Sequence, residues 1–462
     1  MNKYIKYTLL VFFTGLLTVS CRVTDRYRTP PLTTDGLYRD ITSGDTATIA
    51  SLTWNELFTD PLLQNLIREG IAQNLNLKTA YTRIEQAQAY YLQTGAALLP
   101  TLNANLGYTT SKLSEAEGFG IRTRAQQYQI GLSSSWEVDI WGKLRSNRRA
   151  NLANLLQSQA AARTVQTSLV ASIASYYYQL LALDQQLMIT QQTVSNWDTT
   201  VQTMRELKNA ALVTEAAVVQ SEAQRYAAEV TIPDLKQRIR ETENVLSTLL
   251  GLPPAAINRS TLADQQSIEN LQTGVPAQLL ANRPDVQQAE YNFRYYYELT
   301  NVARTYFYPS LVITSSAGLN SLTFAHWIDP VSLAARIGGS LVQPIFNQRA
   351  NRTRLEVARA QQQGALFNFQ QTLLTAGQEV SNALFLHQTA LEKMSIRSNQ
   401  LTALQRSVEY SNELLRNGFA IYPEVITARQ SLLQAELGAV NDRLQQLQAI
   451  VNLYRSLGGG WK

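Results

Sequence analysis

The chain carries one cysteine, Cys21, and two histidines in 462 residues. A single cysteine excludes an intrachain disulfide. His326 and His387 have no second His or Cys nearby, so the spacing of a zinc site is missing. Charge is scarce too. Asp, Glu, Lys and Arg make up 16% of the chain, against about 25% in an ordinary soluble protein. The formal net charge of +5 is dispersed, with acids beside the bases, so no footprint of a nucleic-acid partner appears. There is no phosphate loop, dinucleotide fingerprint or nucleophile elbow. Gly458-Gly459-Gly460 lacks the Lys-Ser/Thr pair and following helix of a phosphate loop, and reads as a helix stop. Nothing calls for a cofactor or a metal, and the chain does not read as an enzyme. Beyond the N-terminus no apolar run is long enough for a membrane helix. A spanning segment would therefore consist of strands that close into a barrel, because an open edge is unsatisfied in lipid.

Gln, Asn, Ser and Thr fill the gap left by charge. That suits a surface facing water inside a pore or groove. At the N-terminus, Lys3 and Lys6 precede an apolar stretch of about 13 residues, Tyr7 to Val19, too short to span a bilayer and typical of a signal peptide. Ser20-Cys21 follows. This resembles a bacterial lipoprotein signal in which Cys21 becomes the lipidated, palmitate-bearing first residue, although Thr18 stands where the usual motif has Leu. An ordinary signal peptide with an incidental thiol fits the same residues. Arg22 stands after the cysteine in place of the Asp that retains such lipoproteins.

The chain repeats itself. Pro100-Thr101-Leu102 and Pro309-Ser310-Leu311 each open a strand. Asp139-Ile140-Trp141-Gly142 and Pro344-Ile345-Phe346-Asn347 each close a strand pair. Leu207-Lys208-Asn209-Ala210 and Leu415-Arg416-Asn417-Gly418 each precede a helical turn. The offsets of 205 to 209 residues mark one duplication, not an array of small repeats. The segments read as follows: 1–20 signal peptide, 21–57 lipidated extended arm, 58–251 first repeat, 252–282 equatorial segment between repeats, 283–458 second repeat, 459–462 tail. Helix is expected from near Pro61 to Leu99 without interruption.

Strands are expected near 101–111, 127–138, 310–319 and 332–343. Leu102, Ala104, Leu106 and Tyr108 alternate with Thr101, Asn103, Asn105 and Gly107. Leu311, Ile313, Ala317 and Leu319 share a face in the third. Period-two segments of about 10 residues fit membrane-barrel strands, apolar to lipid and polar to the lumen. A half-buried soluble sheet gives the same alternation. Four strands cannot close a barrel, for which about eight is the minimum. A dimer supplies eight and a trimer twelve, and the pattern does not choose.

Two long helices are expected, 146–208 and 348–416. Their apolar residues step by three and four: Leu366, Phe369, Leu373, Ala376, Val380, Ala383, His387, Ala390. That is a coiled-coil seam. Helices of this size reach roughly 90–100 Å at 1.5 Å per residue. Returning helices are expected over 214–250 and 423–457. Pro233 predicts a bend or break near Val230 in the first.

Several strings together resemble the outer membrane factor family, the TolC-like efflux channels, and especially its lipoprotein branch of the NodT or OprM type. They are Phe58-Thr59-Asp60-Pro61-Leu62, Ala97-Leu98-Leu99-Pro100, Ala281-Asn282-Arg283-Pro284-Asp285-Val286, Gln343-Pro344-Ile345-Phe346, Thr375-Ala376-Gly377-Gln378-Glu379-Val380 and Val451 to Gly460. The resemblance spans the chain from Cys21. It implies a mostly α, α+β membrane protein: a long coiled-coil α-barrel continuous with a transmembrane β-barrel, four strands per chain and twelve in a homotrimer. It implies an outer-membrane location in a Gram-negative bacterium, lipid-anchored and extending into the periplasm. The implied function is a passive exit duct for drugs or other small toxic compounds, conferring multidrug resistance. The implied partners are a periplasmic adaptor (membrane fusion protein), an inner-membrane pump of the resistance-nodulation-division type, and outer-membrane lipid. Type I protein secretion and a non-conducting periplasmic spacer are the alternatives.

The resemblance also places the sites. The helical turns, with Asn209, Ala210, Ala211, Leu212, Asn417, Gly418, Phe419, Ile421 and Tyr422, would be periplasmic tips. Phe419, Ile421 and Tyr422 are read as exposed, either for the adaptor or for packing between neighbouring tips. A gate would follow at Glu424, Thr427, Gln430 and Val219. Thr427 stands where relatives often place an aspartate, and Gln430 where they have an arginine. Either Glu424, three residues before Thr427 on the same face, supplies the ring charge, or the gate is less charged. Ala210 is matched with Gly418, and Val219 with Thr427, as positions where the repeats differ. Cys21→Ser is expected to abolish incorporation of labelled palmitate, and incorporation undiminished would refute the lipoprotein reading.

Overall fold

The computed structural model describes residues 23–31, 36–39, 48–112, 114, 124–266, 278–417, 419 and 421–461. The signal segment, Cys21 and Gly418 lie outside the described residues, as do parts of the arm and of the segment between repeats. Four strands form one antiparallel sheet in the order β1 (Thr101–Lys112), β2 (Arg124–Val138), β3 (Ser310–Ser321), β4 (Leu333–Val342). The strands of the two repeats thus share a sheet, joined along β2–β3. β2 begins three residues before the expected 127, and β3 runs two residues past the expected 319.

Register carries the alternation across all four strands. Leu106 pairs with Ile130, Ile130 with Leu319 and Leu319 with Leu333. The next row is Ala104, Leu132, Ala317 and Ala335. Because side chains alternate faces, these rows make one apolar face. Asn103, Ser133, Ser316 and Arg336 make a row of the other. The apolar face is not covered: Leu106 is 72% exposed and Ile337 80%. Among the described residues no further strand pairs with β1 or β4, so both are free edges. On the polar face Gly131 lies opposite Gly318 at the β2–β3 seam. A Cβ on Gly131 would meet the Ala317 carbonyl oxygen at 2.7 Å, and one on Gly318 would strike the Ile130 backbone. Gly107 and Gly339, on the edge strands, have open space.

The helices are α1 (Trp54–Leu57), α2 (Pro61–Gln73), α3 (Leu75–Ala96), α4 (Lys143–Asn209), α5 (Glu215–Glu229), α6 (Thr231–Leu249), α7 (Leu279–Asn282), α8 (Pro284–Thr305), α9 (Ala350–Arg416) and α10 (Tyr422–Ser456). Asp60 caps α2, its Oδ1 accepting from Leu62 N at 2.9 Å. The single helix expected from Pro61 to Leu99 is two, broken at Asn74. Asn74 has an extended ψ of 124°. Its Oδ1 accepts from Leu77 N at 2.9 Å and its Nδ2 donates to Leu249 O at 2.8 Å. A short amide side chain competes with the helix for backbone partners, which is why Asn caps well and breaks well. The break predicted near Val230 is present, but Pro233 does not interrupt a helix interior. It sits in the first turn of α6, where its missing N–H costs nothing. The second returning helix, α10, is continuous over 35 residues.

α4 and α9 are 67 residues each, and the heptad seam is their buried stripe. Phe369, Ala376 and Val380 are fully buried, as are Ile173 and Leu180. Among the described residues no helix is long and apolar enough to cross a membrane.

By internal contacts the chain forms two compact units, and each draws on both repeats. One takes residues 83–158 and 289–369 with the N-terminal arm. There the arm is laid on α8. Asp25 and Asn301 exchange hydrogen bonds at 3.2 and 2.9 Å, and Thr29 Oγ1 donates to Glu290 at 2.8 Å. Tyr27 stacks edge-on against Tyr297. Arg149 forks onto the buried Glu298 at 2.8 and 3.0 Å.

The other unit takes 32–82, 159–288 and 370–462. Its central ion cluster is on Arg283, whose side chain is 7% exposed. Arg283 donates to Asp285 at 2.5 and 3.0 Å, to Glu379 at 2.8 Å and to the Ser456 carbonyl at 2.7 Å. Removing it strands two carboxylates and a carbonyl. Arg283→Met is expected to cost roughly 2–4 kcal/mol, since each carboxylate still keeps about a third of its surface in water. Thermal unfolding in detergent measures this; a Tm equal to the parent's would mean the cluster contributes nothing.

Candidate functional site

The turns after α4 and α9 are built alike. In the first, Leu212 N–H donates to Leu207 O and Ala211 N–H to Lys208 O, both at 2.9 Å. This is the paired closure of a helix C-terminus, which puts one residue in the left-handed region. That residue is Ala211, at φ +58°. In the second, Phe419 N–H donates to Leu414 O at 2.9 Å, over the same five residues. The hydrogen bonds therefore set an offset of 207 between the turns. Leu212 thus corresponds to Phe419, one residue out of step with the pairing that the shared string suggests. Val219 stands opposite Ile426, not Thr427. The shared Leu-Lys/Arg-Asn string masks this one-residue slip.

Leu212 is 71% exposed, Phe419 82% and Ile421 65%. Asn209, Ala210 and Asn417 are exposed as well. Tyr422 is not: it is buried, which corrects the reading of it as exposed. It packs with Trp197, Met204, Val218 and Ile426. Its hydroxyl bonds that of the buried Ser221 at 2.5 Å, and burial pushes its pKa above the usual 10. Tyr422 is the first residue of α10, and the sequence gives no sign of which way that residue turns. Around it the two turns meet. Leu212, Thr214, Asn417, Ile421 and Tyr422 line one cavity of about 780 Å³.

Glu424, Thr427 and Gln430 lie along the exposed side of α10 with Gln434. Glu424 occupies the first turn, where the helix N-terminus favours an acid. Thr427 Oγ1 donates to the Pro423 carbonyl at 2.9 Å, so its hydroxyl is used within the helix. Gln430 Nε2 donates to Gln224 of α5 at 2.5 Å. The stripe thus carries one carboxylate among neutral groups. Val219 is 53% exposed on α5 and does not line the cavity.

Sequence reasoning missed two charged residues on the opposite side of α10. Arg429 and Glu436 both line a second cavity of about 490 Å³, with Trp197 and Leu433. Arg429 donates weakly, to Asn196 O at 3.4 Å and Asn412 Oδ1 at 3.3 Å, and lies 5.8 Å from the Trp197 ring. Burial pushes its pKa down and that of Glu436 up. Their spacing of seven residues with Leu432 and Leu433 between them was the available signal. His387 is buried on the seam, and burial lowers its pKa. His326 pairs with Asp329 at 2.7 Å in the β3–β4 connection.

The chain matches a family profile described as outer membrane efflux protein over residues 66–252 and 275–459. It belongs to that family. It is 30% identical over 416 residues to the pyoverdine export outer membrane protein OpmQ of Pseudomonas putida, covering 88% of each chain. It is 27% identical over 410 residues, again 88% of each chain, to a protein of Salmonella typhimurium described as a probable outer membrane lipoprotein, SilC. Among solved structures, the outer-membrane channel OprN superposes with a TM-score of 0.88 at 24% identity, covering 96% of this chain and 100% of that one. The fold is therefore that of an outer-membrane channel subunit.

Two outcomes follow from the site's geometry. Ala211→Gly relieves a left-handed alanine and is expected to stabilise by about 0.5–1 kcal/mol, read as a higher Tm. A raised folded pKa at Glu436 favours the protonated form; that contribution is complete below about pH 4.5 and is lost as pH rises through the folded pKa. Glu436→Gln is accordingly expected to raise Tm at pH 7 and to leave it unchanged near pH 4. An equal effect at both pH values would show that the carboxylate is not destabilising.

Proposed function

We propose that the chain is the exit duct of a tripartite efflux pump, three copies closing twelve strands into one outer-membrane barrel. The observation that carries this reading is a sheet with one uncovered apolar face and two free edges. In lipid each unpaired edge group costs several kcal/mol, so the edges must pair with other copies. Twelve strands also match a water-filled lumen lined by the Asn, Ser and Thr rows. The membership of the efflux family and the pyoverdine export named for OpmQ support small compounds as cargo. The long helices form the conduit on the periplasmic side.

The exposed Leu212, Phe419 and Ile421 form the contact for a periplasmic adaptor, which links the duct to an inner-membrane pump. Glu424, Thr427 and Gln430 face the pore as a weakly charged gate. Cys21 carries the lipid, and the arm bound along α8 holds it to the body of the protein. The duct consumes no energy and does no chemistry.

Reconstitution into planar bilayers tests the central claim: discrete conductance from a species of three chains by light scattering is expected. A monomer, or a trimer without conductance, would refute it. Phe419→Asp is expected to lower adaptor recovery in a crosslinked pull-down about tenfold while conductance persists. Glu424→Gln is expected to reduce cation preference; unchanged preference would mean that the gate carries no functional charge.

A further inference from the structure

The outward face of the sheet is ordered along the strands. Apolar rows run from Val138, Leu311 and Leu341 at the helix end to Leu106, Ile130, Leu319 and Leu333. At 3.4 Å per residue these rows span about 27 Å of strand. One row further on, Tyr108 pairs with Tyr128, their rings 5.0 Å apart. The β3–β4 connection folds onto the same face: Phe324 and Trp327 lie 5.5 and 5.9 Å from the Tyr128 ring. Two rows beyond the tyrosines, on the same face, Lys112 stands directly opposite Arg124.

That last pair is the unusual feature. Like charges directly opposite on a strand pair repel and destabilise it. Both side chains are exposed, and no acid among the described residues is paired with either. Pairing is tolerated if an anion sits between them. The order apolar, aromatic, cationic along one face is the order acyl chain, interface, phosphate in a leaflet. We propose that this rim binds an anionic lipid of the outer leaflet: chains against Leu106 and Ile130, phosphate between Lys112 and Arg124. Phe324, 69% exposed, and the adjacent Ile328, 79% exposed, wedge into the same leaflet beside it. The inference rests on the reading that the sheet spans the outer membrane. It adds a lipid site that the duct function does not require.

The test uses the full chain in phosphatidylcholine vesicles with spin-labelled phosphatidylglycerol or spin-labelled phosphatidylcholine. Electron spin resonance gives the relative association of each with the protein surface. Wild type is expected to prefer the anionic lipid about threefold or more, and K112Q/R124Q to show no preference. Conductance should be the same in both. Inorganic phosphate at about 20 mM is expected not to compete; competition would mean that the pair takes free phosphate and not a lipid. Should the double variant fail to assemble, R124Q alone is expected to halve the preference. A conducting wild type without preference overturns the proposal. Preference retained in K112Q/R124Q does so too. Absence of conductance with the preference intact removes the duct reading and leaves the lipid site standing.

Discussion

The unpaired backbone groups at two strand edges set the central constraint on this chain. β1 and β4 each present a row of N–H and C=O groups with no partner strand among the described residues. Water satisfies such groups and hydrocarbon does not. An apolar face on the same strands draws them into hydrocarbon, so the two demands conflict in a single copy. Association with further copies removes the conflict. The charge-poor composition follows from it, since the polar face needs hydrogen-bonding side chains and tolerates few fixed charges.

The helical unit meets a different demand with the same economy. Its long helices are held by a seam of small and aliphatic residues, and its ends by local polar clusters. Arg283 gathers two carboxylates and a helix-end carbonyl. Asp60 accepts from Tyr177, Ser260 and Gln265 and caps α2 with its other oxygen. Each cluster joins segments far apart in sequence. The turns after α4 and α9 are lightly tied by comparison, with exposed apolar residues and a cavity between them. A region of that kind opens at lower cost than the clusters do.

Much of this was legible in the residues. Strand alternation survives as register because period two fixes the face of every side chain. The heptad steps survive because a seam of that length has one buried face. Pro100 and Pro309 mark strand starts because proline ends the preceding helix. What was hidden was local and tertiary. Asn74 breaks a helix through a bond to Leu249, a residue remote in sequence. Tyr422 turns inward because Ser221 offers its hydroxyl a partner. The pairing of the turns, Leu212 with Phe419, follows from hydrogen bonds and not from similar strings. Arg429 and Glu436 were visible as charges on a helix, but their burial was not. Family resemblance supplied the number of chains that close the barrel, the partners and the role of the tips; the residues themselves left those open.

The glycine pair at the β2–β3 seam has a consequence for the order of assembly. Gly131 and Gly318 let two backbones approach where any side chain would strike the opposite strand. The edge strands show no such fit; Gly107 and Gly339 face open space. The internal seam is thus specified within one chain and forms at a rate independent of concentration. The edges close only by encounter, at a rate that rises with the number of chains present. A freshly folded copy therefore passes through an interval with both edges exposed, the state in which strands add to the wrong neighbour. Scarcity of the protein lengthens that interval.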